Sequence, residues 1–180
     1  MNCMKPEEIF DSFYNRIFNF TLVRVSNLHD TEDLVSNVFC KVVEKLDSYI
    51  PEKAAFSTWI FTIALNEIRM YYRGRKNACS LDDISELADR FDIEEDLLHY
   101  EERSILLSAI YELDERRKSI ILLKYFGELT DRQIADTLKL SEKNVGVILS
   151  RTKKVLKDAL VRSAEAESCE YRITQAAKVV

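Results

Sequence analysis

Gly and Pro are scarce in this chain, and their scarcity limits the folds that it can adopt. The 180 residues include only 3 Gly and 2 Pro. A β-rich protein of this length would need many tight turns, which Gly and Pro favour. Apolar residues also recur at the spacing of one helix face, as at Ile9, Phe13, Ile17 and Phe20. Together these features predict an all-α protein.

Helical periodicity occurs in two separate parts of the chain. The first part, residues 6–76, contains three predicted helices, and the second part, residues 101–163, contains four. Residues 77–100 show weak periodicity and are interpreted as an acidic linker. Residues 164–180 lack a clear apolar face and stay unassigned. A chain of this length is sufficient for two small helical domains.

Polar residues that can accept hydrogen bonds stand where several of these helices would begin. Such residues satisfy the free N–H groups of a first helical turn. The caps that we expect are Asp30 or Thr31 for the second helix, Ser57 or Thr58 for the third, Asp114 for the fifth, Thr130 with Gln133 as a capping box for the sixth, and Ser141 for the last.

The net charge of −5 looks unfavourable for DNA binding, but the charge is unevenly distributed. Residues 77–102 contain ten acidic residues and one basic residue, which is a local charge of −9. The rest of the chain therefore carries −5 minus −9, or +4. An acidic linker thus separates two parts that together carry a net charge of +4.

The side-chain chemistry indicates neither a catalytic site nor a metal or cofactor site. No nucleophile–base pair, phosphate-binding loop or metal-ligand spacing occurs. The cysteines and histidines are isolated in sequence: Cys3, Cys40, Cys79, Cys169, His29 and His99. No segment approaches the roughly 18–20 apolar residues of a membrane span, and the N-terminus lacks an apolar signal core. We therefore expect a cytoplasmic protein with no membrane insertion, no catalytic residue, no metal and no cofactor.

Residues 130–160 predict a helix-turn-helix. A short helix is followed by a tight turn at Leu140 and Ser141 and by a longer helix, with Ala135 and Val145 at positions that this motif packs inward. In such a motif the start of the second helix enters the major groove. The residues available there are Glu142, Lys143, Asn144 and Gly146, and the cations further along that suit phosphates are Arg151, Lys153, Lys154 and Lys157. The alternative is an ordinary helix pair with a solvated basic face.

The end of the third predicted helix is both basic and aromatic. Cations bind phosphates, and aromatic rings offer surfaces on which unstacked bases can lie. The residues in question are Arg69, Tyr71, Tyr72, Arg73, Arg75 and Lys76, with Phe56, Trp59 and Phe61 as further aromatic candidates in the same helix. The combination predicts a surface for single-stranded DNA. The alternative is that the aromatic residues belong to the core and that the arginines form a solvated face.

Three segments resemble the extracytoplasmic-function (ECF) sigma factors, a subgroup of the bacterial sigma-70 family. Residues 30–39 are similar to the family's DAEDLVQxVF segment, residues 56–66 to its F-x-x-W-L-x-x-I-A-x-N segment, and residues 129–145 to its helix-turn-helix segment. The three segments occur in the family's order and spacing. The resemblance implies a region 2 helical bundle and a region 4 helix-turn-helix, joined by the acidic linker. It also implies a subunit that carries RNA polymerase to promoters and helps to open them.

The resemblance further assigns surfaces to partners. The second helix would bind the β′ clamp helices of core RNA polymerase through Asp30, Glu32, Asp33, Leu34, Asn37 and Phe39. The third helix would bind and melt the minus-10 promoter element through Trp59, Asn66, Arg69, Tyr71, Tyr72, Arg73, Arg75 and Lys76. The helix-turn-helix would read the minus-35 element through Thr130, Glu142, Lys143, Asn144, Arg151, Lys153 and Lys154. The polymerase β flap and an anti-sigma factor that controls a stress or signal response are the other implied partners.

Two other functions fit parts of the sequence. A stand-alone helix-turn-helix regulator with an N-terminal sensing or dimerising domain would bind duplex DNA tightly without polymerase, which the acidity of the chain disfavours. A protein-binding adaptor would leave the basic aromatic end of the third helix unexplained. An enzyme is the least favoured class.

Overall fold

The computed structural model describes residues 5–73 and 97–177, with side chains for residues 5–73 and 104–162. Every regular element in these ranges is helical, which confirms the predicted all-α fold. The helices are α1 (Pro6–Val25), α2 (Leu28–Lys45), α3 (Phe56–Arg73), α4 (Leu97–Tyr111), α5 (Glu115–Tyr125), α6 (Asp131–Leu138) and α7 (Glu142–Ala177), and a 3₁₀ turn, Leu46–Ser48, follows α2. Within these ranges no helix is long and apolar enough to cross a membrane.

Helices α1, α2 and α3 form a first bundle, and α2 begins earlier than predicted. Ser26 ends α1 in the left-handed region, with φ of 57°. Asn27 then caps α2, because its side-chain oxygen accepts the backbone N–H of Asp30 at 2.9 Å. The prediction that Asp30 or Thr31 caps α2 is therefore wrong. The turn at Ser26 leaves Asn27 in an extended conformation, from which its side chain reaches the free N–H groups of the first turn.

Helix α3 also begins earlier than predicted. The backbone N–H of Trp59 donates to the carbonyl of Ala55 at 3.1 Å, so helical hydrogen bonding already includes Phe56. Ser57 and Thr58 lie inside the first turn, and the prediction that one of them caps the helix is wrong. Thr58 is buried, and the Ser57 hydroxyl serves a contact with a distant part of the chain.

Helices α4 to α7 form a second bundle with the predicted caps. Asp114, Thr130 and Ser141 each accept a backbone N–H from the first turn of α5, α6 and α7, at 3.0 to 3.3 Å. Helix α4 begins inside the predicted linker, and α7 continues through residues left unassigned from sequence as far as Ala177. The acidic residues 77–96 of the predicted linker lie outside the described residues.

The two bundles pack against each other and share one core. Phe20 of α1 and Phe61 of α3 are fully buried and meet edge-on, with ring centroids 5.5 Å apart. The same cluster of buried side chains includes Leu123 of α5 and Val145 of α7. Burial of apolar surface contributes about 25 cal/mol per Å². The shared core therefore stabilises the packed arrangement of the two bundles.

Polar contacts also join the bundles. Arg24, at the end of α1, forms an ion pair of 2.6 Å with Glu115 and donates to the Ser119 hydroxyl at 2.9 Å. The Tyr111 hydroxyl donates to the carbonyl of Val23 at 2.6 Å. These partners lie 88 to 95 positions apart in the sequence. No local pattern in the sequence indicated that the bundles would pack together.

Candidate nucleic-acid interface

Helices α6 and α7 form the predicted helix-turn-helix. Lys139 ends α6 in the left-handed conformation, with φ of 56°, and the N–H of Leu140 returns to the carbonyl of Ala135 at 2.9 Å. This geometry satisfies a carbonyl of the last turn and reverses the chain. Ala135 and Val145 are both buried, so the two predicted packing positions do face inward. The turn therefore fixes the start of α7 relative to α6.

The first turn of α7 presents polar side chains to solvent. Glu142, Lys143 and Asn144 are all exposed. The backbone N–H of Asn144 donates to the Ser141 hydroxyl, so the side-chain amide of Asn144 takes no part in this cap. At Gly146 an added Cβ would meet only a carboxylate oxygen of Asp131, at 3.9 Å. Helix α7 is therefore not tightly packed against α6 at Gly146.

The predicted phosphate-binding cations do not all have the same environment. Arg151 and Lys154 are exposed. The ammonium of Lys153 lies 5.5 Å from the centroid of the Tyr125 ring. A hydrogen bond with the Tyr125 hydroxyl raises the pKa of Lys153 above its usual value. Lys153 is thus engaged with α5, and Thr130 is engaged in its own capping box.

The predicted minus-10 residues of α3 lie at its two ends. Asn66, Arg69 and Arg73 are exposed near the C-terminal end, and Arg69 donates to the Asn66 side-chain oxygen at 3.3 Å. Trp59 lies ten residues before Arg69, about 15 Å along the helix axis. Arg75 and Lys76 lie outside the described residues. The structure thus groups the polar and cationic residues and separates them from Trp59.

Tyr71 and Tyr72 are half-buried and use their hydroxyls within the first bundle. The Tyr71 hydroxyl donates to a carboxylate oxygen of Asp30 at 2.8 Å, and the Tyr72 hydroxyl donates to the carbonyl of Arg24 at 2.5 Å. The two rings meet edge-on, with centroids 5.0 Å apart. These contacts give both tyrosines a packing role in this conformation.

Trp59 belongs to an aromatic cluster that sequence reasoning only partly identified. Its ring centroid lies 5.2 Å from that of Tyr49 and 5.3 Å from that of Phe56. The Tyr49 hydroxyl donates to the carbonyl of Ala54 at 2.9 Å, across the loop that joins α2 to α3. The aromatic residues on either side of this loop were the available signal for Tyr49. Phe61, another aromatic candidate, is fully buried and belongs to the core.

The predicted polymerase-binding residues of α2 fall into two groups that differ in solvent exposure. Glu32, Asp33 and Asn37 are exposed. Leu34 is buried in the bundle, and Phe39 is half-buried. The centroid of the Phe39 ring lies 5.0 Å from that of Phe10 on α1. Asp30 accepts the hydrogen bond of Tyr71, so it also links α2 to α3.

An apolar groove of about 450 Å³ opens between α4, α5 and α7 in the second bundle. Its lining is almost entirely aliphatic and aromatic, and two lysines stand among the lining residues. They are Leu106, Leu107, Ile110, Ile121, Tyr125, Phe126, Lys153, Leu156, Lys157 and Leu160. Clefts of this size and chemistry are typical of binding sites for apolar groups.

Two family models match the chain in the order of the two bundles. The model described as Sigma-70 region 2 matches residues 9–78, and the model described as Sigma-70, region 4 matches residues 103–156. The first match covers α1 from Ile9 onward, α2 and α3, and the second covers α6, the turn and α7 as far as Leu156.

Curated relatives and solved structures are similar to the chain over most of its length. RNA polymerase sigma factor YlaC of Bacillus subtilis is 27% identical, over 89% of this chain and 95% of the relative. ECF RNA polymerase sigma factor SigM of the same organism is 24% identical, over 91% and 100%. CnrH, solved in complex with the cytosolic domain of CnrY, superposes with a TM-score of 0.66 at 22% identity, over 87% and 88%. The sigma factor RpoE of Bartonella quintana, solved with the anti-sigma factor NepR, gives 0.64 at 19% identity, over 86% and 95%.

Proposed function

The chain belongs to the ECF subgroup of the sigma-70 family of RNA polymerase sigma factors, and from this premise we propose which of its surfaces performs each step of promoter recognition. A sigma factor directs core polymerase to promoters and initiates transcription. The observation that carries the proposal is the exposed polar first turn of α7, held in a capped helix-turn-helix. The two family regions follow each other in the chain.

The start of α7 reads the minus-35 element in this proposal. Lys143 and Asn144 are hydrogen-bond donors in the first turn of α7, which is the recognition helix. The N-terminal end of such a helix enters the major groove. Arg151 and Lys154 lie two to three turns further on and bind phosphates, which positions the helix without reading bases. Glu142 and the capping residue Thr130 complete this surface, and Lys153 contributes charge from its position against Tyr125.

The minus-10 element binds along α3. Asn66, Arg69 and Arg73 offer an exposed polar and cationic surface near one end of this helix. We extend this surface to Arg75 and Lys76. At the other end Trp59 and its aromatic neighbours offer ring faces against which unstacked bases can lie. Tyr71 and Tyr72 support the cationic end, and their rings contribute to promoter opening.

Core polymerase binds two surfaces of the chain. The exposed side chains of α2 (Glu32, Asp33 and Asn37) bind the β′ clamp helices, while Asp30, Leu34 and Phe39 hold that surface in place from beneath. The apolar groove of the second bundle accommodates an apolar segment of the β flap. Lysines at the groove favour an acidic residue beside that segment.

We also assign an anti-sigma factor as the regulatory partner of the chain. The cytoplasm is the assigned location, because polymerase acts there. Support for the first assignment comes from CnrH and RpoE, because RpoE was solved with an anti-sigma factor and both share the fold of this chain. The chain itself supplies binding surfaces and no catalytic step.

Run-off transcription tests the function. Core polymerase is assayed on a cognate promoter with and without the chain, and transcripts are expected only with it. Asp33→Arg should abolish core binding while circular dichroism stays unchanged, because Asp33 is exposed in the second turn of α2 and a surface substitution changes stability by only about 0.5 kcal/mol. Asp11→Arg, an exposed charge reversal on α1, is the matched control and should bind core normally. Tight, sequence-specific binding of duplex DNA without polymerase would favour a stand-alone regulator instead.

A further inference from the structure

Helix α7 carries an exposed valine to which the proposed function gives no role. Val147 lies in the second turn of α7 and is 42% exposed. The next residue, Ile148, is half-buried and packs against the core. The two adjacent side chains are both apolar and β-branched, yet only Ile148 belongs to the packed interior. The side chain of Val147 is therefore available to a binding partner.

Val147 points away from the core of the second bundle. The core side of α7 is marked by its buried residues, Val145, Leu149, Thr152 and Leu156. Each residue advances about 100° around the axis of an α-helix. By this spacing Val147 lies roughly 170° from the mean direction of the buried residues, which is almost diametrically opposite. Val147 therefore stands at the middle of the outward face of α7.

The outward face around Val147 is otherwise polar and cationic. Lys143 and Asn144 lie one turn before Val147, and Arg151 lies one turn after it, at the spacing of neighbours on one helix face. These three side chains and that of Lys154 are exposed. A DNA duplex that is bound by the residues on both sides of Val147 must also cover Val147 itself.

Helix stability does not account for a valine at this position. A β-branched side chain loses χ1 freedom in a helix, so valine has a lower helix propensity than alanine, lysine or arginine. The exposed position of Val147 recovers little of that loss through burial of apolar surface. Single exposed apolar residues are common on protein surfaces. It is therefore the placement of Val147, at the centre of the proposed DNA-binding face, that indicates a function.

The major groove offers one apolar group to such a side chain. Thymine presents its C5-methyl group there, whereas adenine, guanine and cytosine present hydrogen-bond donors and acceptors. Contact between an apolar side chain and this methyl group is a recognised form of direct base readout. An exposed valine at the start of a recognition helix has the chemistry for this contact.

We propose that Val147 contacts the C5-methyl group of a thymine in the minus-35 element and thereby selects an A·T base pair at that position. The inference rests on the function proposed above and adds a base-reading residue to the same surface. Cytosine has an amino group that valine cannot pair with and lacks the methyl group, so a G·C pair is disfavoured there. Burial of one methyl group corresponds to roughly three- to fivefold in affinity.

Replacement of thymine by deoxyuridine tests the contact directly, because uracil pairs as thymine does and lacks only the methyl group. Core polymerase with the full chain is titrated with the promoter used for run-off transcription, in which each thymine of the minus-35 element, on either strand, is replaced in turn. Wild-type holoenzyme should lose roughly three- to fivefold in affinity at one position. Val147→Ala should weaken binding to the unmodified promoter by a similar factor and should be indifferent to deoxyuridine at that position.

Val155→Ala is the matched control, since Val155 is 41% exposed on the same helix, about 12 Å further along its axis. It should keep the wild-type response to deoxyuridine, and unchanged circular dichroism establishes that both variants keep their helices. The contact is overturned if no replacement weakens wild-type binding, or if Val147→Ala responds to the replacements as the wild type does. Absence of run-off transcription with the wild-type chain would reject the sigma-factor function and this inference with it. Normal transcription without sensitivity to the methyl group rejects the inference alone.

Discussion

The side-chain amide of Gln133 donates a hydrogen bond of 2.8 Å to the hydroxyl of Ser57, across 76 positions of sequence. The Gln133 side-chain oxygen simultaneously accepts the backbone N–H of Thr130 at 2.8 Å and completes the capping box of α6. One residue therefore closes a local helix cap and joins the two bundles. The stability of the helix-turn-helix and the packing of the bundles are coupled at this point.

A double-mutant cycle should measure this coupling. Ser57→Ala removes only the contact between the bundles, whereas Gln133→Ala removes both that contact and half of the capping box. We expect a coupling free energy of about 0.5–1.5 kcal/mol from urea unfolding of the two single variants and the double variant. Ser36→Ala, at an exposed position on α2, is the control. Purely additive losses would mean that the hydrogen bond contributes nothing in solution.

The cap of α2 offers a second test. Asn27→Ala should lower the free energy of unfolding by about 1 kcal/mol, because the backbone N–H of Asp30 loses its acceptor. His29→Ala, at an exposed position two residues later, should change stability by less than about 0.5 kcal/mol. Thermal or urea unfolding of both variants provides the measurement. Equal effects of the two substitutions would contradict the assignment of Asn27 as the cap.

The tyrosines at the end of α3 allow their hydroxyls and their rings to be tested separately. Tyr71→Phe and Tyr72→Phe should each cost about 0.5–1.5 kcal/mol of stability, because the bonds to Asp30 and to the Arg24 carbonyl are lost. Promoter opening should survive in both, since the rings remain.

The double variant Tyr71→Ala/Tyr72→Ala should lose activity on a duplex promoter, because each base stacked on an aromatic ring is worth about 1–3 kcal/mol. A promoter with a pre-melted bubble should restore that activity. Permanganate footprinting on both templates reports the opening step. Failure of the bubble template to restore activity would leave the tyrosines with the packing role alone.

The recognition helix permits base reading and phosphate binding to be distinguished. Asn144→Ala should reduce discrimination between cognate and altered minus-35 sequences by about 1–3 kcal/mol. Lys154→Ala should weaken binding to all sequences about equally and lower the slope of log K against log salt by about 1. Holoenzyme binding titrations at several salt concentrations measure both effects. A uniform loss for Asn144→Ala would remove this residue from the base-reading set.

Sequence alone determined the features of this protein that depend on neighbouring residues. Apolar spacing and the scarcity of Gly and Pro were sufficient for the all-α fold. The caps at Asp114, Thr130 and Ser141 could be predicted because a cap and its N–H partners lie within one turn of each other. The inward positions of Ala135 and Val145 followed from the same short-range regularity.

Tertiary structure alone decided which of these surfaces meet. Ser57 was expected to cap α3, yet its hydroxyl accepts a hydrogen bond from Gln133 in the other bundle. Nothing near Arg24 in the sequence indicates that it pairs with Glu115, because the two are 91 positions apart. Local propensity constrains only the conformation of each segment. Contacts between segments depend on how complete helices bury their apolar faces, and this is decided only once the whole core has assembled.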